Sequence, residues 1–360
     1  STSFLDFNLS SAYNIYFLVV KWKSMKLPKV NDLNVRGKRV LLRLDLDTSQ
    51  RPSHGKLEDF GLESSKETIN YLVENGAKII IIGHKGRPQG VDGKFSLDGV
   101  AKDLQNLLNK KIQFVYDITG KEAEDEVSKL KEREIVMLEN LRFDKGEEEN
   151  DSDFTKRLAN SGDLYVNEAF ADCHREHSSI VGIPQILPHA AGFRLIKEVE
   201  NLEKILENPK PPVVFILGGV KPDKAKYVDK LLKRANWVLV GGVLPRVVSS
   251  YCRAQHGGKS CVSAAKLISS GRDIDEASST NFAATAANAG TVVWNGPLGE
   301  YEKEEFKRGT EVVAKAIADS SAFKVVGGGD TVDALTSLGI LSKMNWVSTG
   351  GGAMLEFLAE

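Results

Sequence analysis

The feature that most constrains this chain is an alternation of short apolar runs with amphipathic stretches. Runs at 39–45, 77–82, 112–115, 135–138 and 164–166 carry Val, Ile and Leu at successive positions rather than at every second one. Between them, 64–75, 97–108, 120–130 and 152–160 have helical spacing, the first closed by Gly76. Strands apolar on both faces are buried on both faces, which helices above and below a parallel sheet provide. The spacing therefore predicts an α/β fold with a doubly wound parallel sheet.

The pattern changes after residue 188. A long amphipathic helix is predicted over 189–208, and Asn208-Pro209-Lys210-Pro211-Pro212 stops it. A second strand–helix series follows, with strands at 213–217, 237–240, 291–294, 323–326 and 346–348 and helices at 224–232, 302–318 and 331–338. The 360 residues thus divide into two Rossmann-like doubly wound domains of similar size joined by a long helix.

Charge excludes some functions. Lys plus Arg is 48 and Asp plus Glu is 49, for a formal charge of −1, so neither a basic nucleic-acid coat nor an acidic tail describes the chain. No apolar run near the start approaches the roughly 20 residues of a membrane span. Residues 1–24 lack the basic region and cleavage site of a signal peptide, and Met25 is read as the natural start. Three dispersed cysteines, Cys173, Cys252 and Cys261, are expected to form neither a disulfide framework nor a zinc site, in keeping with a reducing, cytoplasmic setting.

Ligands of open parallel sheets sit at the carboxyl ends of the strands. In the first half those ends carry cations: His84, Lys85 and Arg87, then Arg142, then His174, Arg175 and His177. Each alone reads as a surface cation; three strand ends together read as an anion pocket, since the guanidinium fork suits phosphate and carboxylate. In the second half the strand ends carry glycine: Gly218-Gly219, Gly241-Gly242, Gly327-Gly328-Gly329 and Gly350-Gly351-Gly352. Glycine lets backbone amides approach phosphate, and a helix N-terminus adds a positive dipole. Tight turns also need glycine, but four clusters in one domain suggest a nucleotide cleft. There is no Walker A motif and no GxGxxG. An anion pocket facing a nucleotide pocket across a connecting helix suits phosphoryl transfer with domain closure.

The same residues resemble a known family. Gly83-His84-Lys85-Gly86-Arg87-Pro88 is similar to the HxGRP segment of phosphoglycerate kinases, and Leu138-Glu139-Asn140-Leu141-Arg142-Phe143 to LENxRF. Val166 to Phe170 with His174 to Ser179 resembles NDAFxxxHRxHxS, Leu217 to Lys221 resembles LGGAK, and Trp294 to Gly299 resembles WNGPxG. Gly327 to Thr331 matches GGGDT and Ser348 to Ala353 matches STGGGA, all in family order, with a brevity nearer the archaeal type.

The resemblance implies a hinge-closing, monomeric, cytoplasmic kinase of glycolysis and gluconeogenesis. It would exchange a phosphoryl group between 1,3-bisphosphoglycerate and ADP, giving 3-phosphoglycerate and ATP, with Mg²⁺ and with neither nucleic acid nor membrane as partner. Residues 25–188 would bind 3-phosphoglycerate, 189–208 would connect, 209–345 would bind nucleotide, and 346–360 would return toward the first domain; 1–24 would be an extension outside the fold. Asp45, His84, Arg87, Arg142 and Arg175 would hold 3-phosphoglycerate, with Asp47 replacing a substrate-contacting asparagine. Lys221, the amides of Gly328 and Gly329, and Arg175 would serve the transferring group. Gly218, Gly219, Gly241, Gly242, Asn295, Pro297, Gly327 and Thr331 would build the nucleotide site, Thr331 also capping its helix. Glu302 would accept the ribose hydroxyls and Asp330 would hold the metal.

Four departures are expected to matter. Gly61 in Glu58-Asp59-Phe60-Gly61-Leu62 stands where the family has an arginine that stabilises the transferring phosphoryl group, and Asp47 places a carboxylate by the substrate. The stretch 242–291 lacks a PVD segment and with it a central strand, and the chain stops soon after STGGGA. They leave open the alternative of a weakened homologue that binds ligand but turns over poorly.

Overall fold

The computed structural model describes residues 27–47, 57–255 and 258–360; the expected extension at 1–24 lies outside them. The chain forms two compact units, one ending at Lys197 and the other beginning at Glu198.

The first unit holds a six-stranded sheet in the order β3-β4-β2-β1-β5-β6. Its strands are β1 (Arg39–Arg43), β2 (Lys78–Ile82), β3 (Ile112–Val115), β4 (Ile135–Leu138), β5 (Leu164–Asn167) and β6 (His189–Ala191). Every pairing is parallel. β4 and β5 are buried at every position, the consequence of cover on both faces. The helix Leu57–Glu74 begins seven residues before the expected start, which places Gly61 inside it. Residues expected to open the connecting helix instead pair with β5 as β6, so the helix is Phe193–Glu207 and the unit boundary falls within it. Glycine at 192 is what permits this ending, since a Cβ there would stand 2.2 Å from Glu168 Oε2.

The second unit holds seven strands in the order β13-β12-β11-β7-β8-β10-β9. They are β7 (Val213–Leu217), β8 (Trp237–Val240), β9 (Tyr251–Gln255), β10 (Gly258–Ala264), β11 (Thr291–Asn295), β12 (Phe323–Gly327) and β13 (Trp346–Ser348). The central strand expected to be missing is present: β10 pairs parallel with β8, and β9 folds back on it antiparallel. That hairpin also corrects the cysteine reading. Cys252 and Cys261 stand opposite each other across the two strands and form a disulfide, with Cα atoms 4.1 Å apart. A nine-residue separation says nothing of pairing until a turn folds it into register, and cysteine usage no longer argues for a reducing setting. Cys173 is buried and lies outside the disulfide, its Sγ donating to Ala169 O at 3.5 Å.

Two further boundaries move. The helix expected over 302–318 is Arg308–Asp319, preceded by a short turn at Glu304–Phe306. The segment expected to return to the first domain builds the second: β13 pairs with β12, and the helix Gly351–Ala359 brings Met354 against Gly327. The long apolar face of that helix, with Ala353, Met354, Leu355, Phe357 and Leu358 buried, explains why it stays.

Candidate functional site

The four central strands of the first sheet release the chain at one edge. Asp45 and Asp47 follow β1, His84 follows β2, Arg142 follows β4, and Asp172 and Arg175 follow β5. At the centre lies a residue to which the sequence assigns no role. Arg43 is fully buried; its Nη2 donates to His84 Nδ1 at 2.8 Å and to Asp172 Oδ2 at 3.1 Å, and its Nε to Ser179 Oγ at 3.0 Å. Ser179 in turn donates through Oγ and N to the buried Glu147 at 2.5 and 2.9 Å. In the sequence Arg43 stands out as a charge inside an apolar strand and as the opening residue of the segment Arg43-Leu44-Asp45-Leu46-Asp47, without a role of its own.

The electrostatics follow from burial. Burial first, then the guanidinium groups of Arg43, Arg142 and Arg175, hold His84 well below its usual range against the pull of Asp172. The imidazole is therefore neutral at neutral pH. Burial opposes the charge on Asp172, but Arg43, Arg175 and Arg142 keep its carboxyl below the ordinary carboxylate range. Asp45 retains some exposure, yet burial and the Asp172 charge raise it to about 7, so near neutrality it can accept or donate. Burial pushes His177 down to about 4, with Arg142 acting in the same sense.

Two groups keep donor capacity that the network does not use, one buried and one partly exposed. His84 is 1% exposed, and its Nε2 has no protein hydrogen-bond partner; the nearest carboxylate oxygen, Asp47 Oδ2, is 4.0 Å away. Arg175 keeps 28% of its side chain exposed, with Nε 3.5 Å from Asp172 Oδ1. Arg142 is buried; its Nη1 donates to Gly86 O at 2.6 Å, and its Nε lies 3.1 Å from Glu148. Arg87 is exposed and forms no ion pair with a described residue, so the structure does not bring it into this network. Asp47 accepts from Gly86 N at 2.8 Å through Oδ1, a bond that an asparagine would also accept. Gly61 faces the same edge: a Cβ there would lie 4.0 Å from Asp45 O.

The second sheet releases its central strands into glycine. Gly218 N donates to Asn295 O at 3.0 Å, and Gly219 N to Pro297 O at 2.6 Å. A Cβ on Gly218 would stand 2.2 Å from Pro297 O, so two strand exits touch backbone to backbone. Gly241 N donates to Leu217 O and Gly242 N to Leu298 O, which adds β8 to this edge. Asn295 is buried and donates to Gly351 O at 3.0 Å. β12 ends at Gly327, and Gly328 turns into the helix Gly329–Ser337 at φ 94°, a conformation open to glycine. No side chain caps that helix, so its first amides face outward, with Asp330 half-buried in the first turn.

Thr331 corrects an expectation. It is the third residue of the helix rather than its cap; its hydroxyl accepts from Gly296 N at 2.6 Å and donates to Gly327 O at 3.0 Å. Back-bonding to the carbonyl four residues earlier turns it into the protein. Glu302 is exposed in a turn six residues before the next helix. Lys221 is exposed ahead of the turn Pro222–Tyr227. Lys224, which no motif marked, is half-buried. Its Nζ donates to Gly218 O at 2.9 Å, and burial and then Lys221 push it down to about 8. Its spacing from Lys221 was the available signal.

This arrangement has counterparts among known proteins. A family model described as phosphoglycerate kinase matches residues 30–269 and 246–360. A phosphoglycerate kinase of Coprothermobacter proteolyticus is 38% identical, covering 93% of this chain and 96% of its own. One of Fervidobacterium nodosum is 37% identical, covering 91% and 94%. Among solved structures, phosphoglycerate kinase from Pyrococcus horikoshii superposes with a TM-score of 0.79 at 30% identity, covering 92% and 96%. That from Coxiella burnetii gives 0.73 at 30% identity, covering 93% and 96%. Equal identity to these two does not single out the archaeal type.

Proposed function

We propose residue roles for a chain that belongs to the phosphoglycerate kinase family and is a phosphotransferase with a carboxyl group as acceptor. The observation that carries this reading is His84 Nε2, a buried polar atom without a protein partner, set among Arg142, Arg175 and the neutralising Asp172. A buried donor left unmatched is unfavourable unless a ligand completes it.

In this reading the first unit binds 3-phosphoglycerate. Arg142 and Arg175 supply charge-assisted donors, Arg87 joins them from the exposed turn, and His84 supplies a neutral donor. Asp45 accepts from or donates to the ligand, and Asp47 orients the Gly86 turn. The second unit binds ATP or ADP. The glycine exits at 218–219, 241–242 and 327–329, with Asn295 and Pro297, form the backbone wall, and Glu302 reaches the ribose. Lys221 neutralises the transferring group, the amides of Gly328 and Gly329 cradle it, and Arg175 balances its charge from the acceptor side. Lys224 holds the wall by its carbonyl bonds. Thr331 acts through its bonds to Gly296 and Gly327.

The donor set suits Mg²⁺ carried by the nucleotide rather than caged by the protein. Asp330 offers one carboxylate at a helix start, and the described residues contain no group of three or more His, Cys, Asp or Glu poised for a metal. Bound there, Mg²⁺ would screen phosphate charge. No described helix is long and apolar enough to cross a membrane. A monomeric, cytoplasmic enzyme completes the reading.

The test is a coupled assay of purified protein with 3-phosphoglycerate and ATP, with and without magnesium. Metal-dependent turnover is expected. Absence of turnover together with absence of calorimetric 3-phosphoglycerate binding would overturn the assignment of roles.

A further inference from the structure

We propose that Arg43 is a positioning residue that locks His84 in the tautomer carrying its proton on Nε2, making the imidazole a neutral donor to the acceptor substrate. The inference rests on the reading of His84 as a substrate ligand and adds how that ligand is set.

The argument is one of donors and acceptors. A guanidinium has five N–H groups and no acceptor. Arg43 Nη2 lies 2.8 Å from His84 Nδ1, so Nδ1 must be the acceptor and carries no proton. The alternative partner for a protonated Nδ1 is Asp172 Oδ2, and at 3.6 Å it is beyond hydrogen-bond distance. The remaining proton is then on Nε2, the atom without a protein partner.

Arg43 cannot itself reach a ligand. It is fully buried, and its donors go to His84, Asp172, Ser179 and the carbonyl of Leu44. Its orientation is fixed from behind by Ser179, which is held by Glu147, and from the side by Asp172. Each neighbour therefore constrains the guanidinium plane, and the guanidinium constrains the ring. The charged groups that face His84 are Arg43, Asp172, Asp47, Arg142 and Arg175. Burial and the three arginines disfavour the imidazolium, consistent with a ring that stays neutral. A neutral donor has a use here: it bonds an anion already paired to arginines without adding a further buried cation.

Nitrogen-15 NMR of the unaltered protein tests this without any mutation. His84 is expected to show an unprotonated Nδ1 and a protonated Nε2 from pH 6 to 8, and 3-phosphoglycerate should shift the Nε2–H resonance. A protonated Nδ1, or an imidazolium forming within that range, overturns the inference. A double-mutant cycle supplies the functional readout. Arg43→Met should raise the KM for 3-phosphoglycerate about tenfold, the scale of one hydrogen bond to an anion, and leave the KM for MgATP unchanged. In the His84→Ala background the same change should have no further effect on KM. Equal effects in both backgrounds would make Arg43 a general structural residue and sink the proposal. A protein with no turnover but with the expected His84 spectrum would strike the functional reading and uphold the tautomer.

Discussion

Under the proposed roles the two units would meet anions by opposite physical means. The first uses buried side chains: Arg43, Arg142, His84 and Asp172 are each at most 5% exposed and hold one another's charge states. The second uses backbone. Gly218, Gly242 and Gly296 bring strand exits together where side chains would collide with backbone, Gly219 and Gly328 take positive φ, and the lysines stand at the margin. A charged side-chain network fixes shape and protonation ahead of ligand binding, and desolvation opposes it. A glycine wall carries no net charge and relies on amides and a helix dipole. Side-chain substitutions should therefore act selectively on binding in the first unit and on rate in the second.

The largest expected effect tests the second half of that statement. Lys221→Ala should lower kcat by about 10²–10³, the scale of one lost transition-state donor, with 3-phosphoglycerate binding unchanged by calorimetry. A loss of binding with kcat intact would break the contrast.

Next comes the dependence of the first unit on buried charge. Glu168 accepts from Thr68 Oγ1 and from the amides of Arg194 and Leu195, and burial raises it from 4.5 to about 7. The folded state thus holds a proton that the unfolded state releases between those values. Its contribution is present below pH 4.5 and is lost as pH rises through 7. Relative to Glu168→Gln, the unaltered protein should lose on the order of 2–3 kcal/mol between pH 4.5 and 8, read from urea melts. A constant difference across that range would remove the buried-charge argument.

Arg175→Ala should weaken 3-phosphoglycerate by about 1.5–3 kcal/mol and leave MgADP nearly unchanged. Equal weakening of both ligands in calorimetry would merge the two sites. The smallest effect sharpens the comparison at its edge. Among the described residues a Cβ at Gly61 would meet Asp45 O at 4.0 Å, an ordinary contact, so Gly61→Arg is the substitution to test. Replacing a helical glycine should add about 0.5–1 kcal/mol of stability. A cation at that edge should raise kcat about tenfold. Higher Tm with unchanged kcat would show that the position stabilises the helix without serving the transferring group.

Much of the fold is legible in the amino-acid sequence alone. Uninterrupted apolar runs such as Val213–Leu217 bury on both faces whatever their neighbours, so the strands and their parallel order follow from local pattern. Motif residues at strand ends have to gather at one sheet edge, because parallel strands share their carboxyl side. Several other features are decided only in three dimensions. Cys252 and Cys261 pair because β9 and β10 meet in register, and the short 242–291 stretch keeps its strand because the hairpin supplies β10. Thr331 turns inward because Gly327 O and Gly296 N stand on either side of its hydroxyl. Arg43 reads in the sequence as an interruption of a strand, yet it sits at the centre of the network because four elements deliver His84, Asp172, Ser179 and Glu147 around it. Periodicity is a property of neighbours in the chain and can be read there. Hydrogen-bond partners and protonation states belong to groups far apart in sequence, and only packing brings those groups within reach.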